Sequence, residues 1–329
     1  MKALFLCESK EMFDCVYANE TKKAILSAYT GTEDILKKED LHPNMDADVL
    51  FTTWTFPAFY TEEIKTYFPN LKAIFYGAGS VQKFARPFLE HGVAISSAWN
   101  ANAVPVIEYA TAQILLANKG FFRLCGAHSI EARTVAKNRV ETYPGNFHTK
   151  VGLIGVGAIG SGVAKQLQAY DLDVYVYDPF LPDERAQSLG VTKAELSFLF
   201  ANCQTISNHM ANNPQTEGML NYALFSKMKP NATFINTGRG QQVVEPDLIR
   251  ALTEQPERTA VLDVTYPEPP EADSPLYRLP NVILTPHIAG STGQERFRLG
   301  ETACAEGLRF LNGEPLAGAV SLSMLATMA

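Results

Sequence analysis

Short runs of consecutive apolar residues recur along the chain, each closed by polar or turn-forming positions. KALFLC (2–7), ADVLFTTW (47–54), LKAIFYGAG (71–79) and GVAISSA (92–98) are four such runs in the first hundred residues. Segments with helical spacing separate them, among them NETKKAILSAY (19–29) and TEEIKTYF (61–68). Runs too apolar to alternate, placed between helices, predict parallel strands covered on both faces. The rhythm restarts at 149 with KVGLIG, DVYVYD, QTISNHM, ATFINTG, TAVLDVT and NVILTP, spaced by helical stretches such as AIGSGVAKQLQAY and EPDLIRALTEQ. Two longer helical runs complete the pattern. One extends from Ala103 through AVPVIEYATAQILLANKGFF, with Pro105 placed in its first turn; the other covers STGQERFRLGETACAEGLRFLNGEP and ends at Gly313 before Pro315.

Two separate strand–helix series in 329 residues exceed what one core usually holds, so two α/β domains are expected. Hydrophobic residues at 46% and charged residues at 19% describe an ordinary globular chain. A net charge of −7 argues against nucleic acid and anionic membrane surfaces as partners. Five scattered cysteines without a CxxC pair give no zinc or disulfide framework; no metal is expected, and a reducing cytoplasm is the expected location.

The sequence VGLIGVGAIG brings in specific chemistry. An apolar strand opens into Gly155-x-Gly157-x-x-Gly160, a helix follows, and the next strand ends on Asp178. In that context the spacing is a dinucleotide fingerprint. Gly155 allows the tight turn, Gly157 lets a pyrophosphate approach backbone, and Gly160 lets helix pack on strand. Ala158 and Ile159 lie at the helix N-terminus, where free N–H groups and the dipole favour phosphate. Asp178 would accept from ribose hydroxyls and repel a 2′-phosphate, so NAD is the expected cofactor rather than NADP.

Other polar residues close strands of the same series. Arg239 follows ATFINTG, Asp263 and Glu268 lie in LDVTYPEPP, and His287 follows NVILTP. Ligands of open α/β sheets sit beyond the carboxyl ends of strands, so these groups can converge. An arginine can grip a carboxylate, a histidine can move a proton near neutral pH, and a glutamate bonded to that histidine would hold its tautomer and favour its charged form.

With GVGAIG, INTGRG, LDVTYPEPP, SPLYRLPNVILTPHIAG and, more weakly, LKAIFYGAG and VIEYA, nearly the whole chain resembles the D-isomer-specific 2-hydroxyacid dehydrogenases. The resemblance implies a Rossmann nucleotide-binding domain, 103–289, inserted into a flavodoxin-like substrate domain made of 1–102 plus 290–329. Both would be doubly wound parallel-sheet domains. It implies an NAD-dependent oxidoreductase acting on a small D-2-hydroxy or 2-keto acid, with His287 as acid/base, Glu268 as its partner and Arg239 binding the substrate. Thr237, Gly238 and Asp263 would join the cofactor site, with Asp263 at the nicotinamide carboxamide, and backbone at Ala78 and Gly79 would hold the substrate carboxylate. A homodimer is implied too, with the run containing Ile107, Tyr109, Ile114, Leu115 and Leu116, continued by Phe121 and Phe122, carrying more apolar surface than one face needs. The chain departs from the family pattern at Ser80-Val81-Gln82, at His209-Met210-Ala211 and at Tyr143. A formate-dehydrogenase-like enzyme and a non-catalytic NAD-sensing, co-repressor-like protein share the scaffold and stand as alternatives. Trp54 and Phe56 are open between lining a pocket and packing a core.

Overall fold

The computed structural model describes residues 1 to 326. The chain divides into two compact units, one of Met1–Ala103 with Ser291–Ala329, the other Val104–Gly290.

In the first unit, strands Ala3–Leu6, Val49–Thr52, Ala73–Tyr76 and Ala94–Ser97 pair in parallel, with Ile35–Leu36 on one edge. The other edge is Ala319–Val320, which runs antiparallel to Ala94–Ser97. Val49–Thr52 and Ala73–Tyr76 are buried throughout, which is why they read as unbroken apolar runs. One face of the sheet packs Phe59, Phe84 and Phe88 around Ile74 and Tyr76; the other packs Phe5, Phe13, Phe51 and Phe75 with Leu299 and Ala303 of helix Glu295–Leu311.

The second unit holds seven strands in the order Val282–Leu284, Thr259–Leu262, Thr233–Asn236, Thr205–Asn208, Thr149–Ile154, Leu172–Tyr177 and Thr192–Lys193, every pairing parallel. The chain winds outward from Thr149–Ile154 in one direction and returns to its other side at Thr205–Asn208. That reversal is the point where a crevice opens at the carboxyl ends of the strands. Phe200, Phe225 and Phe234 centre the core on one face; Val151, Leu153, Val163 and Val176 pack on the other with Ala110 and Ile114. The architecture is thus two parallel-sheet α/β units, as the alternating pattern predicts. Among the described residues no helix is long and apolar enough to cross a membrane, and no group of three or more His, Cys, Asp or Glu side chains is disposed to hold a metal.

Two expectations need correction. The long helix starts at Trp99 and ends at Asn118, so Pro105 lies in its interior. The helix is launched from the end of strand Ala94–Ser97: Ala98 donates its N–H to Tyr76 at 3.0 Å, and Asn102 closes the first turn on the Ala98 carbonyl at 3.0 Å. That turn is complete before the proline, which only removes a donor toward Ala101. The supposed surplus of apolar side chains on this helix is largely absorbed as well. Ile114 is buried, and Ile107, Leu115 and Phe122 pack against the unit's own core. Exposed apolar side chains remain at Leu116 of this helix and, beyond it, at Phe121, Ile130, Val135, Val140 and Phe147; Phe121, Ile130 and Val135 lie on the short helices Phe121–Leu124 and Ile130–Asn138.

Candidate active site

The glycine turn follows strand Thr149–Ile154 directly. Gly155 has φ +83, and a Cβ there would lie 2.9 Å from the Met210 backbone, so only glycine fits. At Gly160 a Cβ would come within 2.0 Å of the Gly155 carbonyl, which is how helix Ala158–Leu167 sits so close to the turn. Gly157 differs: a Cβ there would meet nothing within 4 Å. Packing does not demand that glycine, and its effect is to leave the turn bare beside the helix N-terminus. Ser161 is the first helix residue whose N–H reaches an intrahelical carbonyl, that of Gly157 at 3.0 Å. The preceding N–H groups at Ala158 and Ile159 remain available, and the dipole makes them an anion site. Asp178 closes strand Leu172–Tyr177 and accepts the Val156 N–H at 2.8 Å and the Phe180 N–H at 2.9 Å. Each oxygen retains a second lone pair for a ligand hydroxyl. These residues fit a bound dinucleotide.

Asp263, His287, Glu268 and Arg239 lie together in the same unit. Asp263 is buried at the end of strand Thr259–Leu262. Its Oδ1 accepts from the Thr285 hydroxyl at 2.6 Å and the Ile288 N–H at 2.8 Å, and its Oδ2 accepts from the Ala289 N–H at 2.9 Å. The Tyr109 hydroxyl reaches Thr285 Oγ1 at 3.1 Å. Between these anchors His287 takes a left-handed backbone, φ +55, a conformation that non-glycine residues hold only when their surroundings impose it. Both oxygens of Asp263 therefore serve the loop that aims the histidine.

His287 Nδ1 lies 2.7 Å from Glu268 Oε1, and both side chains are close to half exposed. Neutral or charged, the ring then carries its Nδ1 proton toward the carboxylate and leaves Nε2 as the exchanging nitrogen. Arg239 is half-buried and, among the described residues, its side chain makes one hydrogen bond, Nη1 to the Gly238 carbonyl at 2.8 Å. Burial pulls its guanidinium below the ordinary range, and the charge of Glu268 opposes that shift. A partly desolvated guanidinium with unspent donors is suited to an incoming carboxylate.

The remaining predicted residues are also placed. Thr237 is buried, and its hydroxyl is 3.3 Å from Nδ1 of His209; the Gly238 N–H donates to Asn236 Oδ1 at 3.1 Å. His209 is buried, and its Nε2 has no partner among the described residues; burial pulls its pKa down to about 4. Ala78 and Gly79 belong to the other unit, in a turn after strand Ala73–Tyr76. Ser97 Oγ donates to the carbonyls of both, at 2.9 and 2.5 Å, while their N–H groups have no acceptor among the described residues. Phe56 packs tilted or edge-on against Phe59, Phe84 and Phe88 and is core packing. Trp54 is half-buried, with the Arg296 guanidinium 6.0 Å from its ring.

Sequence reasoning passed over Tyr109, Thr285, Asn208, Asn236 and Gln242. The available signal for the asparagines was an amide closing a short strand, in TISN and TFIN, where a buried polar group must have a partner.

Comparison with known proteins bears on the family and the fold. Residues 123–289 match the family model for the NAD-binding domain of D-isomer-specific 2-hydroxyacid dehydrogenases. The chain is 30% identical over 244 residues to D-3-phosphoglycerate dehydrogenase of Archaeoglobus fulgidus, covering 71% of this chain and 44% of that protein. It is 35% identical over 234 residues to the Mycobacterium tuberculosis H37Rv protein of the same name, covering 70% and 43%. The chain thus spans less than half the length of these curated relatives. Among solved structures, D-mandelate dehydrogenase of Rhodotorula graminis superposes with a TM-score of 0.79 at 19% identity, covering 97% of each chain, a likeness of fold. NAD is the cofactor of the matched domain. The chain belongs to the D-isomer-specific 2-hydroxyacid dehydrogenase family.

Proposed function

We propose that the protein interconverts a small D-2-hydroxy acid and its 2-keto acid with NAD(H). Unit Val104–Gly290 holds the cofactor, and the unit of Met1–Ala103 with Ser291–Ala329 is the substrate domain. The observation that carries this reading is the 2.7 Å pairing of His287 Nδ1 with Glu268 beside an arginine with unspent donors. When bound, NAD supplies the hydride acceptor or donor. His287 takes the hydroxyl proton at Nε2 in oxidation and returns it in reduction. Glu268 fixes the tautomer and faces the charged ring. Arg239 binds the substrate carboxylate and stabilises charge on the C2 oxygen. The N–H groups of Ala78 and Gly79, without an acceptor among the described residues, suit a carboxylate, and Thr237 and Gly238 border the cofactor.

A homodimer accompanies this reading. Its contact is the exposed apolar set at Phe121, Ile130, Val135 and Val140, too hydrophobic to leave in water without cost. Light scattering tests it: a mass near the 36.2 kDa of one chain at micromolar concentration contradicts the dimer.

The carboxylate at Glu268 favours a hydroxy acid over the formate-dehydrogenase-like reading, whose resemblance implies a glutamine at that place. The activity is tested by following NADH consumption with pyruvate, glyoxylate, hydroxypyruvate, and branched and aromatic 2-keto acids. Turnover of at least one supports the enzyme; binding of NADH with no turnover of any supports the co-repressor-like alternative.

A further inference from the structure

Three amide side chains lie beneath the Arg239 loop and outside the acid–base pair. Asn208 and Asn236 end neighbouring strands and are register partners. Gln242 closes the short turn Gly240–Gln242. Asn208 and Gln242 are 0% exposed and Asn236 1%. Asn208 Nδ2 donates to Asn236 Oδ1 at 2.9 Å and to Gln242 Oε1 at 2.6 Å. Gln242 Oε1 also accepts the backbone N–H of Arg239 at 3.2 Å. Asn236 Nδ2 donates to the Arg239 carbonyl at 3.2 Å. Both backbone polar groups of Arg239 are therefore held by buried amides. The other end of Gln242 reaches elsewhere: Nε2 donates to the carbonyls of Met210 at 3.0 Å and Ala211 at 2.9 Å. Those residues follow His209, and Met210 is the backbone that a Cβ on Gly155 would strike. Gly238 fits the same arrangement, since a Cβ there would lie 2.8 Å from Gln242 Oε1 and 2.9 Å from Asn208 Nδ2.

Folding alone does not call for this arrangement. Buried amides cost free energy unless every group is paired, and two apolar side chains of similar volume commonly serve a core as well or better. A fully paired network does supply a fixed geometry that apolar packing lacks. Here that geometry is the extended backbone of Arg239, φ −142 and ψ 146, which sets the direction in which the guanidinium leaves the chain.

We propose that Asn208 and Gln242 are positioning residues that fix Arg239 by tying its backbone to the segment lying over the glycine turn. The loop that carries the substrate arginine and the loop that covers the cofactor turn then move as one hydrogen-bonded body. This rests on the reading of Arg239 as the substrate-binding group.

The test compares wild type with the Asn208→Leu/Gln242→Leu double variant, and with Gln242→Met in case the double variant does not fold. Three measurements are made: hydrogen exchange at the Arg239 amide, the Kd for NADH by fluorescence titration, and kcat and KM for the best 2-keto acid. The expected result is exchange faster by about tenfold or more, kcat/KM lower by about tenfold or more with KM raised, and an NADH Kd within about threefold of wild type. Unchanged exchange at Arg239, or faster exchange with unchanged kcat/KM, overturns the proposal. If wild type reduces no 2-keto acid, the proposed activity fails, and the exchange rates decide on the clamp: acceleration in the variant sustains it and equal rates refute it.

Discussion

The two units use one architecture, a mostly parallel sheet with helices on both faces, and differ at the carboxyl ends of their strands. In Val104–Gly290 those ends carry Asp178, Asn208, Asn236, Asp263 and His287, with side chains bonded to loops or to one another. In the other unit hydroxyls hold the backbone at the strand ends: Tyr17, just after helix Lys10–Val16, donates to the Thr52 carbonyl at 2.8 Å, Thr53 to Gly77 at 2.8 Å and Ser97 to Ala78 and Gly79. The rest of that unit's interior is aromatic, with Phe5, Phe13, Phe51 and Phe75 on one face. One sheet ends in groups that can exchange protons and hold charge; at the other, the turn of Ala78 and Gly79 presents N–H groups that have no acceptor among the described residues. The fold therefore positions chemistry without containing it.

That contrast can be broken by substitution. A large effect is expected at Arg239. Arg239→Gln removes a charged donor from the developing oxyanion and should lower kcat/KM for the 2-keto acid by about 100- to 1,000-fold, with NADH affinity little changed. Steady-state kinetics checks this, and a loss below about tenfold would move the substrate site away from this loop.

His209 gives the next effect, on stability. Its pKa is about 4 when folded, against an ordinary 6.5. A histidine whose folded pKa is depressed stabilises above its unfolded pKa and loses that contribution as pH falls from 6.5 toward 4. The buried ring should account for about 3 kcal/mol over that window. His209→Gln should flatten the acid limb of the unfolding free energy between pH 6.5 and 4, measured by urea titration at each pH. Parallel acid limbs would show that another group controls it.

Cofactor choice follows. Wild type should prefer NADH to NADPH, and Asp178→Ala should narrow the ratio of kcat/KM values by about tenfold, since a carboxylate no longer faces the 2′-phosphate. Equal use of both cofactors by wild type contradicts the assignment. The smallest effect belongs to the other unit. Ser97→Ala loosens the Ala78–Gly79 turn at a cost of about 1 kcal/mol in stability and should raise substrate KM a few-fold, leaving kcat within about twofold. A large fall in kcat there would mean that the two sheets share the chemistry more evenly.

What was legible in the sequence follows the same division. Strands such as Val49–Thr52 and Thr233–Asn236 are buried on both faces and so announce themselves as apolar runs. The glycine turn was legible because backbone geometry forces glycine at 155 and 160. The two-residue strands Ile35–Leu36, Thr192–Lys193 and Ala319–Val320 carry no periodicity to read. The start of the long helix at Trp99 depends on a bond from Ala98 to a distant strand, which local pattern cannot contain. Asn208 and Gln242 are 34 residues apart, and only sheet register brings them together. The sequence singled out Asp263; that both its oxygens hold the His287 loop was not legible, because the acceptors' partners lie at 285, 288 and 289 and need the tertiary structure to reach it.

His287, aimed by Asp263 and paired with Glu268, is the group proposed to move the proton. The most direct measurement is NADH-dependent reduction of the best 2-keto acid by His287→Asn, with the NADH Kd measured on the same preparation. A kcat lower by about 100- to 10,000-fold at every pH is expected, with a Kd for NADH within about threefold of wild type. A kcat within about tenfold of wild type at unchanged NADH affinity would contradict it.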